Sequence, residues 1–326
     1  MTTDPPHPTL VAPPPEPSGQ ASWLDNVHVI ASPPCAEKHG GKPYRAFMEA
    51  LKTALPSLQL HLTEYAGQAT ELAKRLAESG ASMVVSVGGD GTLCETANGL
   101  MGTGCRLGIL PMGRGNDYYR AVLAERNEPF DLTPDQVVRR LMSGTEMAID
   151  LGKIYFKGPD GQEQQRFFIA NATLGFSAAV CCSVAKTRWA GGASYFLCLF
   201  SNLLGWRNMH AEVDVGDAKV SGRMFNINLA LGRYYGTGMV AAPRAKVGDG
   251  LVDVVCMVDL NPVDVVRYMP NNYSGDFDSV PKITQHTART VTITAPQPVP
   301  VQIDGDYIGT TPCRVEVIPS ALKMVV

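Results

Sequence analysis

The run Met83-Val84-Val85-Ser86-Val87-Gly88-Gly89-Asp90-Gly91-Thr92-Leu93 decides the fold. Met83 to Val87 carries no charge and no polar alternation. It reads as a strand buried on both faces, which a parallel sheet between helices requires. Two glycines end the strand, and an acid and a threonine open a helix. Glycines at such a turn let backbone N–H groups approach phosphate oxygens, and the helix N-terminus adds partial positive charge. Asp90 supplies a carboxylate suited to a divalent cation or a reacting hydroxyl. The plainer reading is a tight strand-to-helix turn with Thr92 as the cap. Neither Gly-x-x-x-x-Gly-Lys nor Gly-x-Gly-x-x-Gly occurs at this turn.

Outward from this turn, strands and helices alternate. Val27 to Ile30 and Leu58 to Leu62 read as strands. Tyr44 to Ala54 reads as a helix with Phe47, Leu51 and Leu55 at helical spacing, and Ala66 to Ser79 as another with Leu72, Leu76 and Ala77 inward. Leu107 to Leu110 is a further strand, followed by Pro111-Met112-Gly113-Arg114-Gly115-Asn116-Asp117. A second glycine loop thus stands at the C-terminal end of a strand, where open α/β sheets bind ligands. The alternation predicts a three-layer, Rossmann-like α/β domain over residues 26–147.

From Ala148 the texture changes to closely spaced strands punctuated by Gly, Pro, Asn and Asp. These are expected at Ala148 to Phe156, Arg166 to Ala172, Ala211 to Val215, Met224 to Leu231, Val252 to Val258, Thr290 to Ala295, Val299 to Ile303 and Arg314 to Ile318. They predict a β-sandwich-like or barrel-like domain with inserted helices, chiefly around Ala193 to Leu204, over 148–326. Residues 1–25, where seven of the 24 prolines fall within the first 17 positions, read as a disordered tail.

A net charge of -3, with 28 basic and 31 acidic residues, gives no general attraction to nucleic acid. The eight cysteines contain no Cys-x-x-Cys pair and read as reduced thiols. No basic segment leads into an apolar N-terminal core, and Ala193 to Leu204 is too short to span a bilayer. The expected location is cytoplasmic, or peripheral to the membrane. His28, His61, His210 and His286 show no ligand spacing. Lys186, Arg188 and Trp189 ahead of the apolar helix would suit a membrane surface, although a helix packed on the β domain is the plainer reading.

Five blocks in order make the chain resemble the diacylglycerol kinase catalytic-domain family, soluble bacterial lipid kinases related to sphingosine and ceramide kinases and, more distantly, to NAD kinases. They are Thr63 with Gly67-Gln68-Ala69; Gly88 to Glu95; Pro111 to Asp117; Asn171 to Phe176 with Gly232 to Met239 and Ala242 to Asp253; and Val301 to Asp306. The resemblance implies that Thr63, Gly88, Gly89, Asp90, Gly91, Thr92, Glu95, Gly113, Arg114, Gly115 and Asn116 surround ATP. It implies that Asp90, Asp304 and Asp306 serve catalysis, with Asp306 at the place of the general base. Lys246 and Leu251, through carbonyls, and Asp249 would hold a structural Mg²⁺. A lipid substrate, transient membrane contact and a homodimer complete the expected partners.

Three positions depart from the family pattern. Arg114 replaces Thr, Asp306 replaces a longer Glu, and Ser32-Pro33-Pro34-Cys35 replaces Asn-Pro followed by Ser-Gly. Asp249-Gly250 and Asp304-Gly305-Asp306 also read as simple turns between strands. A kinase for NAD and a catalytically inactive lipid-binding regulator are the rival functions.

Overall fold

The computed structural model describes residues 22–32, 42–130, 133–143, 145–186 and 192–326. Most of the Pro-rich opening segment, the loop after Ser32 and the Arg188-Trp189 pair lie outside them.

The first part of the chain runs β1 (Val27–Ala31), α1 (Lys42–Ala54), β2 (Gln59–Leu62), α2 (Gln68–Glu78), β3 (Met83–Gly88), α3 (Asp90–Leu100), β4 (Arg106–Pro111), α4 (Asp117–Glu125) and α5 (Pro134–Ser143). The strands pair in parallel in the order β2-β1-β3-β4. Alternate strand residues face opposite sides. Val29, Val85, Val87 and Leu110 pack with Phe47 and Leu51 of α1 and with Val137 and Leu141 of α5. Ile30, Val84, Leu107 and Ile109 pack with Leu72 and Leu76 of α2 and with Leu93, Ala97 and Leu100 of α3. Each such fully buried aliphatic side chain stabilises the fold by about 1.5–3 kcal/mol. The order reverses between β1 and β3, so connections leave in opposite directions and open a crevice at the C-terminal strand ends.

On β1 and β2, His28 Nδ1 lies 3.1 Å from His61 Nε2, and His28 Nε2 lies 3.0 Å from Asn26 Oδ1. Burial holds both imidazoles below the usual 6.5, helped by His61 at His28 and by Arg75 at His61. The unfolded chain therefore takes up protons that the folded pair resists. Stability is expected to be present above pH 6.5 and to fall as the pH drops below it. Thermal melts between pH 7.5 and 5.5 check this, with a flatter slope expected for His61→Gln.

The remaining chain is β-rich. It runs β5 (Glu146–Lys157), β6 (Glu163–Phe168), β7 (Asn171–Gly175), α6 (Phe176–Lys186), α7 (Gly192–Gly205), β8 (Met209–Asp214), β9 (Lys219–Ala230), β10 (Tyr234–Tyr235) and β11 (Met239–Val240). It continues through β12 (Val252–Val258), α8 (Pro262–Arg267), α9 (Asn271–Ser274), β13 (Ile283–Ala288), β14 (Thr290–Thr294), β15 (Pro300–Ile303) and β16 (Asp306–Val325). Antiparallel pairing closes a ring, β9-β7-β15-β16-β14-β8 and back to β9. Leu174, Ile227, Val291, Val301 and Val315 belong to the core shared by these strands. The strand expected over Arg166 to Ala172 divides into β6 and β7. β13, polar and without clean alternation, escapes the sequence pattern.

β16 outruns its expected Arg314 to Ile318 core at both ends. Its last residues pair in parallel with β4, Met324 opposite Leu107 and Val325 opposite Gly108. Leu322, Met324 and Val326 thereby enter the core of the α/β sheet. Among the described residues, no helix is long and apolar enough to cross a membrane.

Candidate active site

The C-terminal ends of the four parallel strands carry Ser32, Thr63, Gly88 and Met112 to one edge. There Thr63 N donates to Ala31 O, and Met112 N to Gly88 O. The two glycine loops touch. A Cβ built on Gly113 would stand 2.4 Å from the Gly89 Cα, and one on Gly89 would stand 3.1 Å from the Gly113 Cα. Only residues without side chains allow this approach. Asn116, at a φ of 50°, folds its amide back over the loop: Gly113 N donates to Oδ1 at 2.8 Å, and Nδ2 donates to Gly113 O at 3.0 Å. Gly88, Gly89, Asp90 and Asn116 line one small cavity together with Ser86 and Tyr119. Gly89 is the N-cap of α3, so Thr92 sits inside the helix rather than capping it. Arg114 is exposed at the loop tip.

Three carboxylates around these loops have distinct partners. Asp90 Oδ1 accepts from Tyr118 N, at 3.0 Å, in the first turn of α4. Glu95 reaches across to the N-terminus of α2, accepting from Gly67 N at 2.9 Å and Ala69 N at 3.2 Å. It therefore anchors the segment that follows Thr63. Asp117 accepts from Thr237 N at 2.8 Å and Gly238 N at 2.7 Å, clasping the β-rich domain to α4. Burial raises the Asp117 carboxyl, those two amides oppose the rise, and the charge of Asp90 adds to it.

Asp117→Ala is expected to leave two amides without their carboxylate and to lower unfolding stability by roughly 2 kcal/mol. Chemical denaturation measures it, and an unchanged midpoint would mean that this clasp does not hold the two parts of the chain together.

From the other side comes the tight turn between β15 and β16. Asp304 and Gly305 adopt φ 45° and 96°, as a two-residue Asp-Gly hairpin turn demands. The Asp304 carboxylate turns inward. It accepts from Ile169 N at 2.9 Å, Ala170 N at 3.0 Å and Asn171 N at 2.9 Å, and from the Cys94 thiol of α3. Burial raises its carboxyl above the usual range, and these four donors oppose the rise. Asp306 is exposed. Its charge helps hold up the thiols of Cys94 on α3 and Cys181 on α6, each raised chiefly by burial. The hairpin tip is thus seated between the glycine-loop helix of one domain and a helix of the other.

Lys246, Asp249 and Leu251 lie apart from this cluster, in the turn before β12. Leu251 N donates to Asp249 Oδ1 at 3.0 Å. Beneath the turn the fully buried Asp150 accepts from Gly250 N at 2.6 Å and Ser320 N at 2.7 Å. Burial and the charge of Asp249 push the Asp253 carboxyl up to about 7. The charges of Arg244 and Lys246 act against that rise. A carboxylate beside backbone carbonyls is a donor type that suits a hard divalent ion.

Sequence reasoning passed over Asp117, Cys94 and Asp150 as site residues. Asp117 closes the quoted Gly-x-Gly-Asn-Asp loop, and Asp150 interrupts the apolar run Ile149 to Leu151, so both left a mark. Cys94 left none.

Glycine loops at the ends of parallel strands and a carboxylate hairpin from the β-rich part thus come together at α3. The chain belongs to the diacylglycerol kinase catalytic-domain family. The model of the diacylglycerol kinase catalytic domain matches residues 26–154, and that of the YegS C-terminal NAD kinase beta sandwich-like domain matches 170–326. A diacylglycerol kinase of Mycobacterium tuberculosis is 26% identical over 248 residues, 75% of this chain and 77% of its own. The Pseudomonas aeruginosa protein named "Probable lipid kinase YegS-like" is 28% identical over 292 residues, 87% of this chain and 90% of its own. The crystal structure of a diacylglycerol kinase from Bacillus anthracis str. Sterne shares the fold at TM-score 0.67 and 18% identity, covering 92% of this chain and 96% of that one. At family level the protein is a lipid kinase.

Proposed function

We propose that this protein transfers the γ-phosphate of ATP to the hydroxyl of diacylglycerol or a related lipid alcohol, in the cleft between a Rossmann-like domain and the β-rich domain. The observation that carries the reading is the meeting of the two glycine loops with the Asp304-Gly305-Asp306 hairpin across α3. Phosphoryl transfer depends on positioning and on neutralising charge, and little else is asked of the protein.

Thr63, the Gly88 to Thr92 turn and the Gly113 to Asn116 loop bind the nucleotide, with backbone N–H groups and the α3 N-terminus turned to phosphate. Arg114 adds a cation at the loop tip. Asp90, with one oxygen fixed by the Tyr118 amide, presents the other to Mg²⁺ or to the acceptor. Asp306 accepts the proton of the attacking hydroxyl. The shorter Asp306 side chain, relative to Glu, asks for a closer cleft or a bridging water. Asp304 and Glu95, whose oxygens are held by backbone amides, shape the site from behind. Lys246 and Leu251, through carbonyls, and Asp249 would hold a structural Mg²⁺. ATP with Mg²⁺ supplies the phosphoryl group and screens its charge.

Radiolabelled γ-phosphate transfer across micelle-dispersed lipids, with NAD as a soluble lane, tests this. Label on one lipid class supports the reading and names the acceptor. Label on NAD alone would replace it with the NAD kinase reading, which the match to an NAD kinase beta sandwich-like model makes a necessary control. ATP binding with no transfer would leave a regulator. Asp90→Asn keeps an acceptor for the Tyr118 amide, so it is expected to fold and to transfer no label; full transfer would remove Asp90 from the site.

A further inference from the structure

We infer that Gln302 is a positioning residue for phosphoryl transfer, setting Asp306 from beneath the hairpin. The inference rests on the reading of Asp306 as the base. Gln302 lies on β15, 3% exposed, between Thr173 of β7 and Tyr307 of β16 in the register of the sheet. Its neighbours Val301 and Ile303 point into the core of the strand ring. Its own side chain therefore stands on the opposite face, where successive strand residues alternate.

There both ends of its amide are engaged. Gly305 N donates to Oε1 at 2.8 Å, and Nε2 donates to Thr173 Oγ1 at 2.6 Å. Thr173 is fully buried, so the anchor is rigid. Gly305 is the one residue between Asp304 and Asp306, and its conformation sets the direction in which β16 starts.

The turn is thus held twice. Asp304 ties it to the amides of Ile169, Ala170 and Asn171, and Gln302 ties its apex to β7. The first bond set fixes where the hairpin sits. The second fixes how its apex is tilted, and with it the exposed Asp306 carboxylate. A two-residue Asp-Gly turn forms without such help, so fold stability alone does not call for a buried amide at this position. A misplacement of about 1 Å at a reacting group costs up to roughly 100-fold in rate.

The test compares Gln302→Met, which fills the space and removes both hydrogen bonds, with Gln302→Glu, which keeps an acceptor for Gly305. For Gln302→Met we expect kcat to fall about 10- to 100-fold with KM for ATP unchanged. In Gln302→Glu, burial keeps the carboxyl protonated, so that its O–H takes the place of the amide N–H toward Thr173 while its carbonyl accepts from Gly305. For this variant we expect kcat to return to within about threefold of the parent. Thr173→Val, which removes the anchor alone, is expected to lower kcat in the same direction and covers the case in which Gln302→Met fails to fold. Parental kcat in Gln302→Met, or in a soluble Thr173→Val should Gln302→Met not fold, overturns the inference. So does equal loss in the Met and Glu variants. If Asp306→Asn keeps full activity, the base assignment falls, and Gln302 falls with it. If Asp306→Asn is inactive while Gln302→Met is unimpaired, only the positioning role is lost.

Discussion

Asp306→Asn is expected to lower kcat for phosphoryl transfer by about 10²- to 10⁴-fold, the range for removal of a general base. Asparagine keeps the volume and one oxygen acceptor but cannot take a proton. KM for ATP should stay near the parent value, since the loops proposed to bind the nucleotide come from the other domain. The melting temperature should stay as well, because the Asp306 side chain is exposed. Asp306→Glu restores the side chain usual in the family, and is expected to remain active. Steady-state kinetics on the lipid identified by label transfer decide it. Asp306→Asn at parental kcat would take the base role away from this residue.

Gly113 and Gly91, in the two glycine loops, should respond to alanine with opposite sign. At Gly113 the new methyl would stand 2.4 Å from the Gly89 Cα and 2.8 Å from Asn116 Oδ1. The loops must separate, so a loss of roughly 1–3 kcal/mol in stability and of ATP affinity is expected together. At Gly91 nothing lies within 4 Å of the added Cβ, and the residue sits in the first turn of α3. There the unfolded chain loses freedom, and a gain of up to about 1 kcal/mol is expected. Calorimetry of both variants, with ATP titrated into Gly113→Ala, checks the pair. Tight ATP binding by Gly113→Ala would mean that loop contact is not what shapes the nucleotide site.

The polypeptide order alone made much of this legible. The apolar run Met83 to Val87, the helical spacing of Phe47, Leu51 and Leu55, and the glycines after two strands are local signals. Local sterics and amphipathic period decide them, so they survive without knowledge of neighbours. The same holds for the Asp304-Gly305 turn, whose backbone conformation follows from residue type. The five motif blocks likewise reached the family that the domain models bear out.

What the sequence determined by itself, then, is the succession of strands and helices in the first part of the chain, the change to a β-rich second part, and the family. Tertiary structure alone decided which carboxylates are occupied by backbone amides and which remain open. Asp117, Asp304 and Glu95 look equivalent to Asp306 along the chain. Yet Asp304 meets amides 133 to 135 residues away, and Asp117 meets those 120 and 121 residues away. It also decided the closed ring of strands, and the return of β16 to lie beside β4. These are pairings over long sequence separations. They depend on which backbone groups are left unpaired when both domains have packed, and no window of neighbouring residues carries that information.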